Sequence, residues 1–415
     1  MLIPVKFKFE QSYNFIFYGF CLCFFSGFGQ TYFVAIFNSF FSRDLNLSLS
    51  ELGGLYGAAT FSSALLLIPI GKLIDEIDLR LFTFFSFLIL SIACFSLSRA
   101  DGYFSLFFSF LILRLGGQGL MSHTAMTSMS RYFQEQRGLA TSISNIGFAA
   151  GIAFFPILAA KSTQIFHWRE IWLSCSLTVF LFLLPLSIFL LKGHSSRHNE
   201  YIAKQQNISS DESNEIMYGW SRRHVIRDFN FYLLLPLLMT LPFIATGIQF
   251  HQLVLVSEKG WSLTTWASGY TIAAFFNIIG GITAGFLTSR FLGIGKMVPW
   301  FILPLFISLM LLVLFEDSRV IWFFMLFNGL AGGTYAVINN VLWAELYGTK
   351  NIGSIRSLIM SIGIIAAAAA PAVMGYLIDI GWTMRFIAFL SLLYLAISMF
   401  IAFFADIRPR PNPGL

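Results

Sequence analysis

Polar residues in this chain come as short interruptions. Between them run twelve long, almost wholly apolar stretches: 13–38, 51–72, 79–98, 103–130, 138–160, 169–191, 231–256, 264–289, 297–315, 319–346, 353–378 and 382–405. About 20 helical residues cross roughly 30 Å of hydrocarbon, so each stretch predicts a membrane-spanning helix. An open strand would leave backbone groups unpaired in lipid, and a closed barrel would show alternating runs of about ten residues, which these stretches far exceed. The pattern also repeats. Trp168 before the sixth stretch matches Trp382 before the twelfth, and Gly71 after the second matches Gly285 after the eighth, both at 214 residues. Tyr132 and Pro156, bracketing the fifth, match Tyr347 and Pro371, bracketing the eleventh, at 215. The expected fold is therefore all-α and integral to the membrane, with twelve transmembrane helices in two pseudo-symmetric six-helix halves. Residues 1–191 form the first half, 192–230 a cytoplasmic linker, 231–405 the second half and 406–415 a cytoplasmic tail. Duplication of this kind is the plan of a membrane transporter whose halves rock around a central site.

Composition agrees. The chain is 57% hydrophobic and 11% charged, with 49 Phe among 415 residues, whereas a soluble domain carries roughly 25% charged residues. Net charge is +6, but placement says more than size. With the N-terminus assigned to the cytoplasm, 18 Lys and Arg fall in inside segments and 7 in outside segments, with Arg114 left over within a span. That bias predicts both termini inside, in a plasma (inner) membrane. No basic stripe interleaves with aromatics on a polar surface, so nucleic acid is not an expected partner. Cys21, Cys23, Cys94 and Cys175 all lie in apolar stretches and read as packing residues, not a disulfide framework.

The residue that stands out is Arg114. It lies eleven residues into the span that starts near Tyr103, a depth of about 16 Å, near the midplane. A charge there costs at least ~2.5–3.5 kcal/mol on insertion scales. No Asp or Glu lies comparably deep; Glu51, Glu345 and Asp379 are near span ends. Two readings follow. Arg114 faces a water-filled cavity where an anionic cargo supplies the counter-charge, or backbone carbonyls and amides satisfy it and it positions helices. Gln118 shares its helix side, whereas His123 lies about 180° away and reads as a packed, hydrogen-bonded histidine. Amide-bearing stripes recur in spans 1, 4, 7 and 10: Gln30 and Asn38; Gln118; Thr246, Gln249 and Gln252; and Asn328, Tyr335 and Asn339, the last three within about 20° of one line. Buried amides face water, cargo or a neighbouring helix. The candidate cargo-binding set is Arg114, Gln118, Gln30, Gln249, Asn328, Tyr335 and Asn339. Asn277 and His251 are weaker candidates.

After span two the sequence reads GKLIDEIDLR, containing Gly71, Leu73, Asp75 and Arg80. It resembles the Gly-x-Leu-x-Asp signature of the major facilitator superfamily, although Glu76 and Asp78 depart from the basic character of that pattern. The second-half copy keeps Gly285 and Leu287 but has Ser289 in place of the Asp. The resemblance implies that Gly71, Asp75 and Arg80 gate the cytoplasmic ends without touching cargo. RLGGQGL in span four resembles the superfamily's Arg-containing fourth-helix motif. RYFQEQRGLATSISNIGFAAG (131–151) is similar to the entry to helix five in monocarboxylate transporters and oxalate/formate antiporters.

No catalytic signature is present: no phosphate-cradling loop, no Gly-x-Ser-x-Gly elbow and no metal-spaced cluster beyond His194 and His198, which read as solvated linker. No enzyme activity, cofactor or metal is expected. The expected function is secondary active or facilitative transport of a small solute by alternating access, as symporter or uniporter. A monocarboxylate-like organic anion leads, ahead of a neutral sugar or amino acid or a non-transporting sensor or scaffold of the same fold. Expected partners are the small-molecule solute, a coupling proton or counter-anion, and the lipid bilayer around a monomer.

Overall fold

A computed structural model describes residues 11–133, 137–195, 197–199, 219–290, 293–348 and 351–408. Most of the predicted linker and all but the start of the predicted tail lie outside the described residues. Among the described residues ten helices are long and apolar enough to span a membrane. A pair of helices bent by 46°, Tyr13–Gly29 and Thr31–Asp44, brings the number to eleven when counted as one broken span. The ninth predicted span is the 12-residue apolar helix Leu303–Leu314. It is shorter than 297–315 because proline sits at its first turn, where a missing N–H is harmless, while the chain before it turns after the separate helix Gly293–Met297.

Helix starts follow local capping chemistry. Asp78 accepts from the Arg80 N–H to open Leu79–Ser98, and Asp228 accepts from the Asn230 N–H to open Phe229–Phe250. His167 and Glu170 cap the Trp168–Thr178 helix reciprocally, and Thr383 caps Met384–Ala402. Such side chains fill the orphan N–H groups of a first turn. The short helix Arg222–Arg227 precedes the seventh span, with the Trp220 N–H just before it donating to the Tyr347 carbonyl at 2.8 Å.

The chain divides into two compact units, Met1–Val34 with Ser62–Asn214, and Ala35–Phe61 with Glu215–Leu415. The second half of span one and the first half of span two thus belong with the C-terminal helices. The core of the first unit is aromatic, with Phe28, Phe33, Phe155 and Trp172 ring against ring. In the second unit Trp343 and Tyr347 stack at 6.0 Å, and Phe231 packs on Trp343. All four cysteines are buried free thiols.

Candidate functional site

The first span does not run through as one helix. Gln11–Phe25 tightens into a 3₁₀ turn over Ser26–Gly29, Gln30 is extended (φ −89°, ψ 149°), and helix resumes at Thr31. Opposite this break, span four widens into a π-helix over Arg114–Met121. Irregular backbone at membrane depth is tolerated only where protein or a water-filled cavity covers it, and both π-segments and broken helices mark functional sites.

The two irregular segments touch. A Cβ placed on Gly29 would lie 2.6 Å from the Leu113 carbonyl oxygen, 2.8 Å from Gly117 Cα and 2.9 Å from the Gln118 nitrogen. A Cβ on Gly117 would lie 2.7 Å from Gly29 Cα. Only glycine at both positions lets the backbones meet. The Phe33 N–H, which a continuous helix would give to the Gly29 carbonyl, goes to Gln30 instead. The Arg114 guanidinium fills that place: its Nη1 donates to the Gly29 carbonyl at 2.8 Å. Arg114 is 3% exposed. It is packed away from water with one guanidinium nitrogen on a backbone carbonyl. Gln118 is exposed one turn on, and Gln30 is half-buried in the break itself. The structure thus brings Gln30, Arg114 and Gln118 to one crossing of two irregular helices.

The remaining candidates lie in the second unit. Asn328, Tyr335 and Asn339 are half-buried on the Val320–Tyr347 helix. Asn339 Oδ1 accepts from Trp343 Nε1 one turn later at 3.1 Å, and the Tyr335 ring lies 6.3 Å from that of Phe301. Gln249 is half-buried at the end of Phe229–Phe250. Gln252 leaves the stripe predicted for it, because His251 ends that helix and Gln252 begins the next. Its Oε1 accepts from both Trp266 Nε1 (2.8 Å) and the Tyr270 hydroxyl (2.9 Å), so it joins helices. Asn277 is exposed, and His251 is buried with Nε2 2.8 Å from the Pro371 carbonyl oxygen.

In the loop after span two, the two gating candidates Asp75 and Arg80 take separate partners. Arg80 does not meet Asp75; it closes a bidentate pair with Asp78 at 2.9 and 3.0 Å while the same carboxylate caps the helix. Two residues of separation make that the shorter reach, and the guanidinium holds the Asp78 carboxyl down to about 2. Asp75 pairs instead with Arg131, whose Nη1 donates to the Ile74 carbonyl at 3.0 Å. His123 Nε2 lies 3.0 Å from the Gly71 carbonyl oxygen, as a packed histidine should.

The model of the Major Facilitator Superfamily matches residues 19–363, most of the chain. The chain belongs to the Major Facilitator Superfamily. The nitrite extrusion protein of Bacillus subtilis (strain 168) is 29% identical to it over 152 residues, 36% of this chain and 35% of that protein. The "Probable nitrate transporter NarT" of Staphylococcus epidermidis is 28% identical over 154 residues, 36% of each. The matched segment thus spans about a third of these relatives. Among solved structures, the nucleoside transporter NupG superposes with a TM-score of 0.72 at 12% identity, covering 95% of this chain and 98% of that one. A bacterial homologue of the human lysosomal transporter Spinster gives 0.70 at 14%, covering 98% and 100%. At these identities the likeness shows the fold alone.

Membership and the described spans make this a multi-span membrane protein of a transporter family. Sequence reasoning missed two features of this major facilitator protein. One is the glycine contact of Gly29 on Gly117, signalled by Gly27 and Gly29 in span one and the Gly116–Gly117 pair beside Arg114. The other is Arg131 as the partner of Asp75, which no local spacing announces.

Proposed function

We propose that the chain carries a small planar monoanion across the membrane by alternating access, with Arg114 as its anchor, assisted by Gln118 and Gln30. The observation that carries this is a buried guanidinium at the meeting of a broken helix and a π-helix, bonded to a neutral carbonyl. A carboxylate, nitrite or nitrate offers coplanar oxygens sharing a negative charge, which fit a guanidinium fork and bond it roughly twice as strongly as a neutral acceptor does. Such an anion displaces the Gly29 carbonyl from Arg114 when the crossing opens. A monocarboxylate is the cargo suggested by helix-five resemblance, nitrite or nitrate the cargo suggested by the names of the partial relatives. All three share this chemistry. Gln249, Asn328, Tyr335 and Asn339 are assigned to further contacts along the transport path, and Gly71 and Asp75 to gating. Arg80, tied to Asp78, is assigned to fixing the loop. The excess of Lys and Arg in the segments assigned inside supports a plasma-membrane protein with both termini cytoplasmic.

Uptake into proteoliposomes of isotopically labelled nitrite, nitrate, short monocarboxylates, a sugar and a neutral amino acid tests the reading. Saturable uptake of at least one monoanion and none of the neutral solutes is expected. Uptake confined to a neutral solute would overturn it.

A further inference from the structure

The first half of span two carries a second device, at the end of the helix remote from the Asp75 loop. Ser48 and Glu51 form a reciprocal cap on the Leu49–Glu76 helix: the Ser48 N–H donates to Glu51 Oε2 at 2.8 Å, and the Glu51 N–H donates to Ser48 Oγ at 3.2 Å. That cap leaves the first two helical N–H groups, those of Leu49 and Ser50, without a local acceptor. Both are taken by one carboxylate 330 residues away in sequence. Asp379 Oδ2 accepts from the Ser50 N–H at 2.7 Å, and Oδ1 from the Leu49 N–H at 3.2 Å.

Asp379 is the last residue of the Ile352–Asp379 helix. A carboxylate at a helix C-terminus is disfavoured by that helix's own dipole, whereas at a helix N-terminus it is favoured. Its position is thus unfavourable within its own helix and favourable only while the start of Leu49–Glu76 stands against it. Beside this contact the two helices meet backbone to backbone. Cβ atoms on Gly53 and Gly57 would run into the carbonyls of Pro371 and Ala368, and one on Gly375 would lie 2.5 Å from the Leu49 carbonyl oxygen. Glycines four apart on one face permit such an approach. On the same side Asn38 Nδ2 donates to the Phe250 carbonyl at 2.7 Å and Tyr56 lies against the Phe250 ring at 4.7 Å.

The two helices belong to different copies of the sequence repeat, and rocking of the copies is the transport movement of such folds. We propose that Asp379 is a positioning residue of the transport cycle: a carboxylate latch that caps the Leu49–Glu76 helix, holds this end of the helices shut and must release for that end to open. This goes beyond the cargo assignment and does not depend on it.

The test uses the full chain in detergent, where a water-soluble maleimide reaches both ends. Thr60→Cys places a reporter on the Leu49–Glu76 helix at a buried position; the four native thiols are buried as well. Asp379→Asn keeps the shape but removes the charge and one acceptor oxygen. Leu49→Pro removes one of the two donors at a helical position that suits proline, and leaves Asp379 untouched. Both are expected to speed labelling of the introduced thiol several-fold, and Asp379→Asn, reconstituted into proteoliposomes, to change the maximal uptake rate with KM nearly constant. Gly54→Ala, where an added Cβ meets nothing within 4 Å, is expected to label at the unmodified rate. Labelling of Asp379→Asn at that same rate overturns the latch. Should Asp379→Asn fail to fold, Leu49→Pro decides alone: unchanged labelling overturns the latch, faster labelling supports it.

Discussion

Gly29→Ala tests how tightly the broken first span is bound to the π-segment of span four. The added Cβ would sit 2.6 Å from the Leu113 carbonyl oxygen, against 3.4 Å or more for an ordinary contact, so the crossing must open by about 0.8 Å. All three nearest atoms belong to backbone, so no side-chain rotation relieves the clash. Overpacking of this kind costs about 1–3 kcal/mol. Opening also lengthens the Arg114 Nη1 bond to the Gly29 carbonyl from 2.8 Å towards the limit of a hydrogen bond, and bonds from charged donors contribute about 1.5–3 kcal/mol. The expected result lies at the upper end of the overpacking range, with a thermal midpoint in detergent lowered by several degrees and uptake reduced. Gly353→Ala, with nothing within 4 Å of the added atom, supplies the control and should stay within about 0.5 kcal/mol of the parent. Gly29→Ala matching Gly353→Ala in stability and uptake would refute the packed crossing.

Asp75→Asn breaks the pair with Arg131 and should lower the maximal uptake rate more than the affinity; a large rise in KM at constant maximal rate would count against a gating role. Gln252→Leu strips the acceptor shared by Trp266 and Tyr270 and should cost about 1–3 kcal/mol in denaturation with KM unaltered, since this side chain joins helices. His194, read from the sequence as solvated linker, is instead buried between Phe15 and Tyr132, and Asp78, Arg80, Arg197 and His198 are the ionisable groups that act on it. Burial pushes its imidazole down to about 4 from 6.5. Between those values the unfolded chain binds the proton and the folded one does not, so stability should fall as pH drops from about 6.5 towards 4. His194→Phe should flatten that dependence in thermal melts, and an unchanged slope would exclude this histidine as its source.

The spans were legible because lipid imposes length and apolarity on each, and the offset of Trp168 from Trp382 is the sequence's signal of a duplication. Arg114 was legible as an unusual charge at depth. Its acceptor was not, because nothing in a one-dimensional pattern says that Gly29 has lost its helical partner. The break at Gln30 comes from a 3₁₀ tightening that period counting passes over, and counting thirds along span seven likewise ran through the helix end at His251. Asp75 was recognised by its motif, but its pairing with Arg131 and the reach of Asp379 to Ser50 depend on which helix ends meet. Short-range competition decided Arg80, where Asp78 two residues away is both cap and counter-ion.

The central claim is that Arg114 anchors an anion. Its most direct test is the uptake of whichever monoanion the parent carries, measured in proteoliposomes for Arg114→Ala and Arg114→Lys alongside it. Removing one partner of a buried charge pair costs about 2–5 kcal/mol of binding, so Arg114→Ala should reduce uptake at least thirtyfold, to background. Arg114→Lys should recover little of it, because an ammonium does not reproduce the planar fork. Uptake by correctly folded Arg114→Ala at the rate of the parent would contradict the account.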